Sequence, residues 1–185
     1  MEDISKILKL GDSKEKIKIL ETLDNTNNPE ILEIIISTLD DKSIEVRGEA
    51  YSALMLNQNK ISDFLINGLS NESVNMKSSI LLILANRNEI SAIPEIIKLV
   101  KDKNSIVRSC VIGALKHLNA REAKNIFLES LSDSNIEVRK NALQAIIDLK
   151  ITISENIIKK NFKEKDSEIE KILATIKKIS GPEGI

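Results

Sequence analysis

The sequence predicts an all-α chain of stacked helical hairpins, an α-solenoid, and three observations carry that prediction. First, a basic residue preceded six positions earlier by Asp or Asn returns at Arg47, Lys77, Arg108 and Arg139, at steps of 30, 31 and 31 residues. Second, apolar residues fall one position before each basic residue and three, six and seven after it. That is one face of a 3.6-residue helix and not the alternation of a strand. Third, aromatic residues make up only 2% of the chain: Tyr51, Phe64, Phe127 and Phe162. A small β-sandwich or barrel draws on many more, whereas layers stacked at constant spacing suit Ile, Leu, Val and Ala.

The four close copies are 41–54, 71–84, 102–115 and 133–146. Weaker copies flank them. Lys16 is followed by Ile19 and Leu23, and Glu170 sits among Ile169, Leu173 and Ile176. The chain therefore reads as one array over 1–180, in units of about 1–24, 25–57, 58–86, 87–118, 119–149 and 150–180, with a short tail at 181–185. In each unit the second helix holds the basic residue. The first helices are expected over 29–39, 61–69, 93–100, 120–131 and 154–162. Pro29 and Pro94 lie near their starts, where a missing N–H costs little. Polar turns at 40–42, 70–72, 101–104 and 132–135 join the pairs. Ser43, Ser73, Ser105 and Asn135 are the expected N-caps. Ser134 with Glu137, and Ser167 with Glu170, have capping-box spacing. One such hairpin cannot bury its apolar face alone, so stacking is required. The expectation is about twelve helices, no sheet, and a right-handed stack roughly 50–60 Å long at 8–10 Å per layer.

Composition narrows the function classes. The 185 residues carry 27 Lys and Arg against 28 Asp and Glu, a formal net charge of −1. That gives no bulk attraction to phosphate backbones, so no nucleic-acid partner is expected. Hydrophobic residues at 42% provide a core and argue against disorder. One cysteine and one histidine exclude a disulfide framework and a His/Cys-rich zinc site. Neither a metal nor a cofactor is expected, and no Gly-rich phosphate loop is present. Uncharged runs such as 78–86 fall short of the ~20 residues of a spanning helix, so no membrane association is expected. Residues 1–10 carry Glu2 and Asp3 and lack an apolar signal core. With the single cysteine suited to a reducing interior, the expected location is cytoplasmic.

The stretch 100–123, through Asp102, Val107-Arg108 and Ala114-Leu115, resembles the short HEAT-like repeat of the phycobilisome-lyase type. That repeat has an Asp, then Val-Arg, then a small residue and Ala-Leu. The resemblance runs from about residue 4 to 179. It implies an armadillo-like α-α superhelix of about six HEAT-like hairpins, with the second helices lining a concave face.

The resemblance also implies a structural ladder of Asp41 with Arg47, Asn71 with Lys77, Asp102 with Arg108, and Asp133 with Arg139. Each basic group would bond acceptors in the turn of an adjacent repeat. A basic stripe for phosphate is the functional counterpart of that reading. The ladder is expected to fail at the ends, at Leu10/Lys16 and Glu164/Glu170, where a neighbour is missing.

With the core at the four apolar positions, the remaining face of the second helices holds the candidate partner-binding residues. These are Gly48, Glu49, Ser52, Ser78, Ser79, Leu82, Ser109, Cys110, Gly113, His117, Lys140, Asn141 and Gln144, followed by Asp148. Gly48 and Gly113 inside helices imply a close approach, by the next repeat's turn or by a ligand. Cys110 and His117 are seven apart, about 10 Å along a helix, too far for a nucleophile–base pair. Charge is uneven. Residues 1–75 hold 8 Lys or Arg and 14 Asp or Glu, net −6, while residues 76–185 hold 19 and 14, net +5. The last unit carries Lys150, Lys159, Lys160, Lys163, Lys165, Lys171, Lys177 and Lys178.

The resulting expectation is a non-enzymatic scaffold or adaptor that binds another protein through the concave face or an edge. The alternative is a subunit of a lyase/isomerase-like or other cofactor-handling complex related to HEAT-like bilin lyases. The scarcity of aromatic and His residues weighs against tetrapyrrole handling. A HEAT-like hydroxylase of the deoxyhypusine type needs several His-Glu metal motifs, and this chain has none. A HEAT-like DNA-repair glycosylase would need a basic, aromatic-lined cleft.

Overall fold

A computed structural model of the protein describes residues 2–153, together with Ile157 and Lys171. The described residues form ten α-helices, with no strand among them. These are α1 (Glu2–Leu10), α2 (Ser13–Leu20), α3 (Pro29–Thr38), α4 (Ile44–Leu56), α5 (Ser62–Gly68), α6 (Val74–Asn86), α7 (Ile93–Lys98), α8 (Ser105–His117), α9 (Lys124–Ser130) and α10 (Ile136–Asp148). Short 3-10 turns precede α7 and α9 (Ile90–Ala92, Arg121–Ala123) and extend α7 (Leu99–Lys101). The fold class is an all-α solenoid of helical hairpins. The expected helix over 154–162, the Ser167–Glu170 box and the surroundings of Glu170 lie outside the described residues.

The four 13-residue helices α4, α6, α8 and α10 start by the same local chemistry. A short side chain folds back onto the backbone N–H two residues on: Asp41 accepts from Ser43 at 2.9 Å, and Asn71 from Ser73, Asp102 from Asn104 and Asp133 from Asn135, each at 2.8 Å. The residue so placed then caps the helix. Ser43 accepts from the Val46 N–H, Ser73 from Met76, Asn104 from Ile106 and Asn135 from Glu137 and Val138. The third cap is thus Asn104, and Ser105 is the first helical residue. The preceding Asp102 fixes which residue occupies the cap. Likewise Ser134 forms no capping box, because Asn135 takes that position. The reciprocal box occurs instead at α2, between Asp12 and Glu15, with both bonds at 2.9 Å.

Three of these helices also end alike. Asn88, Asn119 and Lys150 have φ of 56°, 54° and 54°, and they are 31 residues apart. The next N–H reaches back five residues each time: Glu89 to Leu84, Ala120 to Leu115, and Ile151 to Ile146. This is the left-handed cap that satisfies the last carbonyls.

The four periodic core positions of every copy are buried: Val46, Ala50, Ala53 and Leu54; Met76, Ile80, Ile83 and Leu84; Val107, Val111, Ala114 and Leu115; Val138, Ala142, Ala145 and Ile146. The chain divides into two compact units, Met1–Ile96 and Ile97–Ile185. In the first, α1 packs on α2 and α3, α3 on α4 and α5, α2 on α4, α4 on α6, and α5 on α6. First helices therefore stack on first helices and second on second. In the second unit α10 packs on both α8 and α9.

The glycines divide into two kinds. At Gly68, the last residue of α5, an added Cβ would meet Ile80 Cδ1 at 2.6 Å and Ile36 Cγ2 at 3.0 Å. Its missing side chain lets α5 close on its neighbours. At Gly48 and Gly113 a Cβ would meet nothing within 4 Å. The expectation that a neighbouring turn approaches these helices is therefore corrected: no part of the fold needs the glycines there. Gly48→Ala and Gly113→Ala should each raise the unfolding free energy by up to about 1 kcal/mol, whereas Gly68→Ala should lower it. Urea unfolding of the three variants checks this, and a loss at Gly48 or Gly113 would contradict it.

Candidate functional site

The turns between paired helices bring the ladder residues together. In the second unit, Arg108 donates from Nε to Asp133 Oδ2 at 2.7 Å and from Nη2 to Oδ1 at 2.8 Å. Its Nη1 donates to the carbonyl of Asp102 in its own turn at 2.8 Å. The side chains are only 13% and 14% exposed, so the guanidinium staples one turn to the next while largely shielded from water. The Arg108 bond outweighs the effect of burial and holds the Asp133 carboxyl below its ordinary range. The same contact holds Arg108 above its own.

The first unit repeats the arrangement. Lys16 Nζ donates to Asp41 Oδ2 at 2.6 Å, across the same 25-residue separation. Burial pushes the Asp41 carboxyl up, but the Lys16 bond and the Ser43 N–H pull harder, and it rests below its usual value. The expected failure of the ladder at Lys16 is thereby corrected. The link needs a base from one repeat and an acid from the next, so Leu10 in place of an acid does not break it. Arg47 stays in its own turn, bonding the Asp41 carbonyl at 2.8 Å; the next turn offers the neutral Asn71. Arg139 likewise donates to the Asp133 carbonyl at 3.0 Å. Lys77 and Arg139 are buried. These shielded basic groups do not form an exposed stripe for phosphate.

A second tie was not read from the sequence. In the first unit, Arg87 donates to the carbonyls of Leu54, Asn57 and Asn59 and to Glu89 Oε1. Asn57, 1% exposed, in turn donates to the Thr26 carbonyl at 2.7 Å. The 31-residue recurrence of Asn57, Asn88 and Asn119 was the available signal for this side of the repeat. Arg87 has no counterpart at that spacing.

Apart from Ser78, whose hydroxyl is buried, the candidate partner-binding residues occupy the solvent side of the second helices. In the first unit Gly48 and Leu82 are exposed, and Glu49, Ser52, Ser78 and Ser79 are half-buried. Ser52 Oγ bonds the Gly48 carbonyl at 3.1 Å. Nearby, Asn86 Nδ2 donates to the Tyr51 hydroxyl at 3.1 Å, a polar pair that the sequence reading left out. In the second unit His117 and Asn141 are exposed, while Ser109, Cys110, Gly113, Lys140 and Gln144 are half-buried. The structure brings Asn141 onto Ser109 Oγ at 2.6 Å and Gln144 onto Asp148 at 2.6 Å. Lys140 pairs with Glu137 at 3.3 Å and Lys116 with Asp148 at 3.1 Å. Cys110 and His117 stand two turns apart on α8. Among the described residues no group of three or more His, Cys, Asp or Glu is placed to hold a metal ion. No helix among them is long and apolar enough to cross a membrane.

The comparisons with known proteins agree with this architecture. The family model for HEAT repeats matches residues 62–147. No curated protein sequence matches the chain. Among solved structures, the TOG domain array protein Crescerin is similar at a TM-score of 0.62 and 16% identity, over 95% of this chain and 88% of that one. A computationally designed armadillo repeat protein for modular peptide recognition gives 0.54 and 18%, over 93% and 96%. A designed armadillo repeat protein in complex with the peptide (KR)4 gives 0.50 and 18%, over 98% and 92%. At these identities the likeness shows the fold alone. Residues 62–147 match the HEAT-repeat model, and the described chain has the helical-hairpin solenoid fold of HEAT and armadillo repeat proteins.

The Asp133 clamp has a defined pH signature. Its folded pKa lies below the unfolded value of about 3.8, so its stabilisation is present above that value and lost as pH falls through the folded pKa. Asp133→Asn should cost roughly 1–3 kcal/mol at pH 7. The gap to the unaltered protein should shrink steadily once the pH drops below about 4. Thermal unfolding from pH 7 to pH 2 reads both, and a pH-independent gap would remove the carboxylate from the account.

Proposed function

We propose that the protein is a non-enzymatic interaction scaffold that holds a segment of another protein against the exposed face of its second helices. The observation that carries this reading is the open space beside Gly48 and Gly113. Each glycine costs helix stability of roughly 1 kcal/mol relative to Ala, and nothing in the fold compensates. A partner backbone lying close to the helices would. The surrounding serines and asparagine offer donors and acceptors for such a backbone at little steric cost. The fold class is also one in which designed relatives take peptides, as in the (KR)4 complex.

The probes are Ser79→Arg and Ser109→Glu, both on half-buried positions of this face. Because both positions are half-buried and Ser109 accepts from Asn141, each variant is first required to keep native circular dichroism and a cooperative thermal transition. Partners retained by the unaltered protein in affinity purification from its native host should be lost or depleted with the variants. Full recovery with both would move the contact to another surface.

A further inference from the structure

We propose that the first unit carries a second docking surface on its opposite side. It is a cleft between α3, α5 and the start of α6 that takes a basic peptide segment, seating an aliphatic side chain on its floor and a Lys or Arg against Glu33. This surface lies on the first helices and does not depend on the reading given for the second helices.

Three observations converge on it. The first is shape. The cleft has a volume of about 280 Å³, with Ile36, Phe64 and Met76 supplying apolar lining and Glu33, Ser37 and Asn67 the polar part. That falls just under the range for drug-sized ligands and suits one or two side chains of a peptide. The second is Phe64. The chain has four aromatic residues. Phe127 is fully buried, but Phe64 is only half-buried and borders the cleft, where a ring face favours both aliphatic groups and cations.

The third is charge. Helices α3 and α5 carry Glu30, Glu33 and Asp63 and contain no Lys or Arg. All three carboxylates are exposed. Glu30 stands one turn before Glu33, and Asp63 one turn before Asn67. Several other acids of this unit are committed, Asp41 to Lys16, Glu15 to the Asp12 N–H, Glu45 to Ser43 and Glu89 to Arg87, while the uncommitted Glu21, Asp24 and Glu49 lie on other helices and turns and do not line the cleft. Among the described residues, Glu30, Glu33 and Asp63 have no ion-pair or side-chain hydrogen-bond partner. An apolar cleft beside uncommitted carboxylates complements a segment that mixes aliphatic and basic residues. Lys and Arg, which lay their methylene stems on apolar surface and keep the charge at the rim, fit it well.

The test uses the full chain and a fluorescein-labelled peptide of alternating Lys and Leu, with an alternating Glu and Leu peptide as control, read by fluorescence anisotropy. The Lys-Leu peptide should bind and the Glu-Leu peptide should not. Glu33→Lys should weaken binding by about tenfold, and the same charge reversal on the second-helix face, Glu49→Lys, by less than about twofold. Phe64→Ala should also weaken binding, with Phe64→Leu retaining most of it if the fold is intact by circular dichroism. Failure of the Lys-Leu peptide to bind the unaltered protein would overturn the proposal. So would equal losses from Glu33→Lys and Glu49→Lys, which signal bulk charge alone. A larger loss from Glu49→Lys would overturn it too, and would place the peptide on the second helices.

Discussion

Each turn between paired helices depends on one short side chain that satisfies two demands at once. Asp133 shows the full arrangement. Its Oδ1 accepts the Asn135 N–H, which shapes the turn and sets the cap of α10, and the two carboxylate oxygens together receive the Arg108 guanidinium from the preceding repeat. The same carboxylate thus fixes where a helix begins and how far it sits from its neighbour. Asp41 does this with Lys16 in place of arginine. Where the residue is Asn71, the turn is kept and Arg47 bonds only its own turn. Turn shape and inter-repeat clamp are therefore separable: an amide suffices for the first, and the second needs a negative charge.

This arrangement determines what remains for function. Arg47, Arg108 and Arg139 are bonded to turns, and Lys77 and Arg139 are buried, so the repeat's basic residues are used mainly in holding the stack. The apolar positions are consumed in the core. What is left on the second helices is a face of serines, glycines and a few amides, with isolated apolar points such as Leu82, 47% exposed. A surface of this kind makes contacts through backbone approach and hydrogen bonding, not through a large hydrophobic patch. The first helices of the leading unit differ, since they combine an apolar cleft with acids that no internal partner claims.

Much of this was legible in the residues. A 31-residue spacing and a 3.6-residue periodicity together identify which side of each second helix is buried, because both are properties of the chain itself. The cap at Asn104 was misplaced by one residue because Asn and Ser are both good caps, and only the backbone turn set by Asp102 decides between them. An end repeat lacks a neighbour on one side only, and the partner of Lys16, Asp41, belongs to the following turn on the other side. Gly48, Gly68 and Gly113 look alike in sequence. Only the distances to Ile36 and Ile80 separate a glycine required for packing from two that face open space. Arg87 occurs once and carries no periodic signal. The cleft beside Phe64 arises from the packing of α5 against its neighbours, which no spacing rule reports.

The central claim is that a shielded charge clamp between successive turns holds the stack. A double-mutant cycle on Arg108→Ala and Asp133→Ala, read by urea unfolding, tests it most directly. The more exposed pair Lys116 and Asp148, 35% and 42% exposed, serves as the reference cycle. The account predicts a coupling of about 2 kcal/mol for the clamp against about 0.5 kcal/mol or less for the exposed pair. Equal couplings in the two cycles would contradict it.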